Sequence, residues 1–217
     1  MQSSIIIAID GPAASGKSSV ARALARRLGM AYINSGAMYR AVTWWMLQHG
    51  IDPRDPEAVL AAAPDMSMEC GLENGQSTIR IGGEDPASHL CDDAVNENVS
   101  AIAQMPEIRR LLVAQQRSYA AYCDVVMEGR DIGSVVFPDT PYKFYIDAPP
   151  EVRARRRALQ GQRDAITDRD RADTSRKTSP LTIAEDAYVI DSSSLTMDGV
   201  VGEIVGRLKL KGLEVRE

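Results

Sequence analysis

The chain has 217 residues, of which 44% are hydrophobic and 25% charged, and these apolar side chains are enough for one substantial core. Its 25 basic and 30 acidic residues leave a net charge of −5, which excludes the broad basic face of a protein that coats nucleic acid. The charge is uneven, because residues 151–177 contain nine basic residues against five acids, a pattern typical of a solvated helix or of a site for a small anion.

The first predicted element is a strand buried on both faces. Residues 5–9 are a continuous run of Ile and Ala, as expected in a parallel sheet. A loop rich in Gly, Ala and Ser follows, and an Ala-, Leu- and Arg-rich segment then predicts a helix from Lys17 to Leu28. The apolar run is far too short for a signal sequence or a membrane helix, so we expect a cytoplasmic protein without a membrane partner.

The loop between this strand and this helix matches the phosphate-loop pattern G-x-x-x-x-G-K-[ST]. Small residues let backbone N–H groups turn around a phosphate, and the following helix N-terminus favours negative charge. Lys17 is expected to reach the β- and γ-phosphates, and the Ser18 hydroxyl to bind Mg²⁺ as the cofactor. The sequence thus predicts a nucleoside triphosphate site made of Gly11, Pro12, Ala13, Ala14, Ser15, Gly16, Lys17, Ser18 and Ser19.

The next segments continue the alternation of strands and helices. A short strand is predicted at Ala31–Ile33 and a helix from about Gly36 to His49. Asp55 and Pro56 form a helix start, with Asp at the N-cap and Pro at the first helical position.

The pattern changes at about residue 65. Asp65–Cys70 and Ser77–Ile81 flank an Asn-Gly turn, which predicts a β-hairpin that we interpret as an insert. Two helical segments follow, at about Asp92–Gln104 and Pro106–Tyr122.

The last third of the chain returns to strands and helices. Short strands are predicted at Val125–Met127, Lys143–Ile146 and Ala187–Asp191, with an Arg-rich helix beginning at Pro150 and a final helix ending near Lys211. Strands that alternate with helices favour an α/β fold with a mostly parallel sheet.

A small kinase is the class of phosphate-loop protein that remains. The N-K-x-D and D-x-x-G motifs of a GTPase switch are absent from the sequence, and the chain is too short for an ATPase motor. A kinase needs a second anion site, and the guanidinium fork matches phosphate oxygens. Arg40, Arg109 and Arg130 are the candidates, and Arg130 lies in Glu128–Gly133 at the carboxyl end of a predicted strand, where α/β sheets bind ligands.

Several segments together resemble the bacterial cytidylate kinase family of P-loop nucleoside monophosphate kinases, over most of the chain. The segments that carry the resemblance are residues 9–18, 34–40 and 128–139, with support from 145–148, 153–157, 168–176 and 191–193. This chain departs from the family in having Asn34 where Asp is usual, Ser19 where Thr is commoner, and about a dozen fewer residues between Arg157 and Arg169.

The resemblance implies a three-layer P-loop NTPase fold with helices on both faces of a sheet of about five strands. The whole chain, 1–217, would form one nucleoside monophosphate kinase domain. Its parts would be a core of residues 1–60 and 123–217, a β-containing monophosphate-binding insert at about 61–122, and a short lid at about 158–180.

The resemblance also implies transfer of the γ-phosphoryl group of ATP to CMP or dCMP, giving CDP or dCDP and ADP in pyrimidine nucleotide metabolism. Lys17, Arg130 and Arg176 would be catalytic. The substrate-binding set would comprise Ser35, Arg109 and Asp131 at the cytosine, Arg40, Arg130 and Arg176 at the acceptor phosphate, and Arg169 and Asp173 at the sugar.

Two other hypotheses stay open. One is a related small-acceptor kinase that acts on UMP, AMP or shikimate, and the other is a module that senses nucleotides without turning them over. We expect a monomer that binds ATP and the monophosphate, with no nucleic-acid partner.

The chain has three cysteines, Cys70, Cys91 and Cys123. Their odd number and wide spacing favour reduced thiols.

Overall fold

Seven strands form one sheet in the computed structural model, which describes residues 4–159, 166–175 and 181–215 and, of these, residues 166–169 by their backbone alone. The strands are β1 (Ile6–Asp10), β2 (Ala31–Asn34), β3 (Met68–Glu73), β4 (Gln76–Ile81), β5 (Val125–Gly129), β6 (Tyr142–Asp147) and β7 (Tyr188–Asp191). Their order across the sheet is β3-β4-β2-β5-β1-β6-β7, and every neighbouring pair is parallel except β3 and β4.

Helices cover both faces of this sheet. They are α1 (Lys17–Leu28), α2 (Ser35–Gln48), α3 (Pro56–Ala62), α4 (Asp93–Ile102), α5 (Pro106–Tyr119), α6 (Pro150–Leu159), α7 (Ile166–Thr174) and α8 (Met197–Leu210). A 3₁₀ turn lies at Ala63–Asp65 and a π-helical turn at Ile132–Val136. In β1, Ile7 and Ile9 pack with α1 and α8, whereas Ala8 faces the core formed with α2, α4 and α5, so the molecule has three layers.

The sheet has two strands more than the expected five. The predicted hairpin forms, and Asn74 and Gly75 at its turn both have positive φ, 51° and 73°, as the Asn-Gly signal requires. The Gly75 carbonyl accepts a hydrogen bond of 2.8 Å from the backbone N–H of Tyr32 in β2. Because this contact joins β4 to β2, the hairpin extends the sheet instead of lying apart from it.

The helix boundaries follow the local signals that the sequence carries. The Asp55 side chain caps α3 and accepts hydrogen bonds from the N–H groups of Glu57 and Ala58. The Asn34 side chain caps α2 in the same way through the N–H of Ala37, which starts that helix one residue earlier than expected. None of the helices in the described part of the chain is long and apolar enough to cross a membrane.

Candidate active site

A cavity of about 220 Å³ opens at the carboxyl ends of β1, β2 and β5. This is the edge of an α/β sheet where ligands bind, because the loops that follow the strands meet there. The lining comes from the phosphate loop and the start of α1, from the ends of β2 and β5, and from helices on both sides of them. Its residues are Ala13, Ala14, Gly16, Lys17, Ser18, Ser19, Asn34, Ser35, Gly36, Tyr39, Arg40, Val99, Ser100, Ala103, Arg109, Glu128, Gly129, Arg130, Asp131, Arg157 and Asp173.

The phosphate loop connects β1 to α1 along one wall of this cavity. Gly11, at its start, has φ 152°, and a Cβ there would lie 2.1 Å from the backbone oxygen of Ile146 in β6. Only glycine therefore fits where the loop leaves the sheet. Lys17 begins α1 with its side chain buried, and its Nζ donates to the carbonyl of Pro12 at 3.1 Å. The lysine is thus folded back across the loop.

A carboxylate that sequence reasoning did not assign stands opposite Ser18. The Ser18 hydroxyl donates to Oε1 of Glu128 at 2.8 Å, and Lys17 Nζ lies 3.9 Å from Oε2. Glu128 follows the apolar run of β5, the strand beside β1, and this strand order places it at the phosphate loop. A hydroxyl and a carboxylate are the oxygen ligands that P-loop NTPases give to Mg²⁺, so the residues present fit this cation.

Asp10, the last residue of β1, is a second buried carboxylate that sequence reasoning left without a role. Its two oxygens accept hydrogen bonds of 2.8 Å from the N–H groups of Ile132 and Gly133, which holds the π-helical turn against the end of β1. Burial raises the pKa of Asp10 to about 7, and the neighbouring Asp131 carboxylate adds to this, although the two N–H groups and Lys17 act in the opposite direction.

The residues expected at the cytosine lie together on the other side of the cavity. The Ser35 hydroxyl donates to the backbone carbonyl of Glu128 at 2.7 Å. The Arg109 guanidinium donates to Asp131 Oδ2 in a buried ion pair, and its carbon centre lies 5.6 Å from the centre of the Tyr39 ring. A hydroxyl from α2, a carboxylate from the segment that follows β5 and a guanidinium from α5 are therefore placed side by side.

Two of the three arginines expected at the acceptor phosphate also line the cavity. Arg40 of α2 donates through Nη1 to the carbonyl of Leu90 at 2.6 Å and to Asn96 Oδ1 at 2.7 Å. Arg130 donates through Nε to Asp173 Oδ2 at 2.8 Å. Burial lowers the pKa of Arg130, but the charge and hydrogen bond of Asp173, together with the charges of Glu128 and Asp170, outweigh this and raise it, so Arg130 stays charged.

The predicted lid residues are described only in part. Asp173 is buried in the cavity wall. Arg176 lies outside the described residues, as does the side chain of Arg169.

The Arg-rich helix α6 is not simply solvated. Arg153 is buried, donates to the carbonyl of Ala13 in the phosphate loop at 3.3 Å, and forms an ion pair of 2.7 Å with Asp170 of α7. Arg156 donates to the carbonyl of Ser15 at 3.2 Å and to that of Ser192 at 2.7 Å. These arginines support the loop from behind, a role that local charge alone could not indicate.

The chain is similar to known proteins over most of its length. The family model described as cytidylate kinase matches residues 7–210. The cytidylate kinase of Streptomyces griseus subsp. griseus is 43% identical over 94% of this chain and 92% of its own length, and that of Nocardia farcinica is 42% identical over 92% and 91%. A gluconokinase structure from Sinorhizobium meliloti 1021 matches 96% of this chain and 93% of its own with a TM-score of 0.52 and 14% identity, a likeness of fold alone.

Proposed function

Because the chain belongs to the cytidylate kinase family, and is therefore an enzyme that phosphorylates CMP or dCMP with ATP, we propose that the cavity at the carboxyl ends of β1, β2 and β5 is its active site. One observation carries this proposal. The phosphate loop and a set of buried and half-buried polar side chains, which includes two acceptor arginines, face each other across one cavity.

The donor side of the site would hold the triphosphate. In this proposal Lys17 leaves the Pro12 carbonyl and binds the β- and γ-phosphates, while the loop N–H groups surround them. Ser18 and Glu128 would hold Mg²⁺ with the nucleotide. When bound, this cation neutralises negative charge on the phosphate oxygens.

The acceptor side would read the base. Cytosine presents an amino donor at N4 beside ring acceptors. We assign Asp131 to the amino group and Arg109 to the acceptors, because these side chains already lie together and buried. Ser35 completes this set from the start of α2.

Arginine charge would hold and align the acceptor phosphate. Arg40 and Arg130 line the cavity near the base-reading residues, and Arg130 stays charged beside Asp173. When CMP binds, its phosphate would take Arg130 as a partner, and Asp173 would turn to the sugar. No covalent intermediate on the protein is needed, because phosphoryl transfer depends on positioning and on neutralising charge. The family pattern supports the same roles for Arg169 at the sugar and Arg176 at the phosphate.

We further propose one kinase domain, with a core at 1–60 and 123–217, an insert at about 61–122 and a lid at about 158–180. We also propose a cytoplasmic monomer. The three cysteines are free, which is compatible with a reducing compartment. Light scattering coupled to gel filtration would test the oligomeric state. A mass of twice 23.6 kDa would contradict the proposed monomer.

An acceptor panel tests the assignment of the site. With Mg·ATP and CMP, dCMP, UMP, AMP or shikimate, ADP should form fastest with CMP or dCMP. Lys17→Ala should lower kcat by about 100-fold or more, because charge on the transferring group loses its partner. Arg27→Ala, an exposed change on the same helix, is the matched control and should leave kcat unchanged. Near-normal turnover in Lys17→Ala would overturn the assignment.

A further inference from the structure

The turn that follows Asp131 is held against the end of β1 by a buried carboxylate. Asp10 is the last residue of β1 and is 5% exposed. Its Oδ1 and Oδ2 accept hydrogen bonds of 2.8 Å from the N–H groups of Ile132 and Gly133, the two residues that follow Asp131 in the chain. Both oxygens of Asp10 therefore hold backbone directly beside the residue that we assign to the amino group of cytosine.

The other end of this turn is held from a helix. The carbonyl of Asp131 accepts hydrogen bonds from the N–H groups of Val135 and Val136 at 2.9 and 3.1 Å, which closes the turn. The carbonyls of the same two residues accept hydrogen bonds of 2.9 and 2.8 Å from the guanidinium of Arg117 in α5. Asp10 thus fixes the end of the turn beside Asp131, and Arg117 fixes the opposite end.

The turn has little room to move at Gly133. A Cβ there would lie 3.4 Å from Asp10 Oδ2 and 3.1 Å from Cγ of Lys143. Lys143 is itself fixed, because its buried Nζ donates to both carboxylate oxygens of Asp186 at 2.8 and 3.0 Å. A side chain at position 133 would therefore push the turn, and Asp131 with it, away from the end of β1.

The position of Asp131 matters because cytosine and uracil differ at the group that it would face. Cytosine carries an amino donor where uracil carries a carbonyl acceptor. A carboxylate that is held in place binds the donor and repels the acceptor, so the same atoms favour CMP and disfavour UMP. The ion pair with Arg109 orients the side chain of Asp131, whereas Asp10 fixes the backbone from which that side chain extends.

We propose that Asp10 is a positioning residue that fixes Asp131 against the end of β1 and thereby sets the preference of the enzyme for CMP over UMP. The inference rests on the proposed function, in which Asp131 binds the amino group of the base. It gives a role in substrate selection to a buried residue that comes directly before Gly11 of the phosphate loop.

The deciding substitution is Asp10→Asn. It keeps the size of the side chain, but its NH₂ group cannot accept a bond from one of the two N–H groups, so the turn is released on that side. We expect the ratio of kcat/KM for CMP to kcat/KM for UMP to fall about tenfold or more through a higher KM for CMP, while KM for ATP stays within about threefold.

Asp55→Asn is the matched control. Asp55 also accepts two backbone N–H bonds, from Glu57 and Ala58, but it does so at the start of α3. Its ratio of CMP to UMP should stay within about twofold of the wild type. A ratio within about twofold in Asp10→Asn, or equal rises in KM for CMP and ATP, would overturn the inference, since a loss of stability alone does not alter the choice between two bases.

Gly133→Ala keeps the test decisive if Asp10→Asn folds poorly. It displaces the same turn from the other partner, so the ratio of CMP to UMP should fall at least about threefold. Gly202→Ala, inside α8 with open space around its position, is its control and should leave the ratio unchanged. An unchanged ratio in Gly133→Ala would contradict the proposed role of the turn.

Asp131→Asn separates this inference from the proposed function. If it leaves the ratio of CMP to UMP unchanged, the base site itself is wrongly assigned and the inference fails with it. If it lowers the ratio while Asp10→Asn does not, the base site stands and only the role of Asp10 fails.

Discussion

The balance of charges in this site depends on single residues, and Glu128 shows this most clearly. It is buried at the end of β5, receives the Ser18 hydroxyl at 2.8 Å and lies 3.9 Å from the Lys17 ammonium. A buried carboxylate is costly unless it has such partners. Its contacts with Ser18 and Lys17 place the Glu128 carboxylate where Mg²⁺ and the triphosphate would bind.

Glu128→Gln should weaken the response to Mg²⁺. The amide keeps the shape of the side chain but loses the charge that draws in the cation, so kcat should fall and half-maximal rate should need about 10- to 100-fold more Mg²⁺. Titration of the rate with Mg²⁺ at saturating ATP measures this. Tyr32→Phe, which removes a hydroxyl that contacts Arg22 and donates to Glu128 at 3.4 Å but leaves the Glu128 charge in place, is the control and should behave like the wild type. An unchanged Mg²⁺ requirement in Glu128→Gln would contradict the proposed site.

Asp10 should make folding stability fall as the pH rises. Its pKa is raised from 3.8 to about 7 in the folded protein, so the folded state holds a proton between about pH 4 and pH 7 that the unfolded state has lost. The stability that this group contributes is therefore present in full below about pH 4 and is lost progressively as the pH rises to about 7. Between pH 5 and pH 8 the loss is about 2–3 kcal/mol.

Asp10→Asn removes this titration. The difference in the free energy of unfolding between the variant and the wild type is measured by urea titration at pH 5 and at pH 8. From pH 5 to pH 8 it should shift by about 2–3 kcal/mol in favour of the variant. The NH₂ group of the substituted asparagine cannot accept one of the two backbone hydrogen bonds that Asp10 accepts. This cost is the same at both pH values, so it cancels when the two differences in stability are compared. A difference that is independent of pH would show that Asp10 is ionised throughout this range.

At the scale of elements, the contact between the phosphate loop and β6 sets how the triphosphate site is built. The backbone of Gly11 lies against the backbone carbonyl of Ile146. A Cβ on Gly11 would collide with this carbonyl, so either the loop or β6 would have to move. The carbonyl involved belongs to a central strand that pairs with both β1 and β7. Backbone in this position cannot move aside as a flexible side chain can.

Gly11→Ala should therefore damage the site more than it damages the fold elsewhere. The added Cβ forces the loop away from β6, so we expect KM for ATP to rise at least about tenfold and the free energy of unfolding to drop by about 2 kcal/mol. Steady-state kinetics and urea unfolding measure the two effects. Gly206→Ala, inside α8 with open space around its position, is the control and should stabilise the protein by up to about 1 kcal/mol. A normal KM for ATP in Gly11→Ala would contradict this prediction, because it would show that the loop can shift without losing affinity for ATP.

At the scale of the whole molecule, ion pairs tie α7 to the core beneath the phosphate loop. Arg130 pairs with Asp173, and Arg153 pairs with Asp170 at 2.7 Å while also supporting the Ala13 carbonyl. Arg153 and Asp173 are buried, so these contacts are exposed to little screening by solvent. They connect the predicted lid region with both halves of the site.

Asp170→Asn should loosen this connection. Arg153 would keep its charge in a buried position with a weaker partner, which we expect to cost about 1–3 kcal/mol and to lower Tm by several degrees. Differential scanning calorimetry and amide exchange along α7 measure the two effects. Glu107→Gln removes an exposed pair with Arg110 and is the control, with a cost below about 0.5 kcal/mol. Equal Tm changes in the two variants would mean that the Arg153–Asp170 pair contributes no more than a surface pair.

Part of this fold could be predicted from local pattern because its causes are local. The β-branched run of β1, the Asp55 cap and the Asn-Gly turn each act over a few residues, and all three form as expected. The fifth and sixth strands also form close to the expected residues, since continuous apolar runs require burial on both faces. The attachment of the hairpin to β2 could not be predicted, because it depends on contacts between residues distant in the chain, such as Tyr32 with Gly75 and Asn34 with Ser77.

The family and the phosphate loop could be recognised without a structure, because the motif is contiguous and its residues act through their own backbone. The distant side chains that complete the cavity could be identified only from the folded chain. Glu128 meets Ser18 across 110 residues, and Asn96 meets Arg40 and Arg157 across 56 and 61. Such contacts depend on the order of the strands and on the packing of helices against them, and no local pattern in the sequence encodes either one.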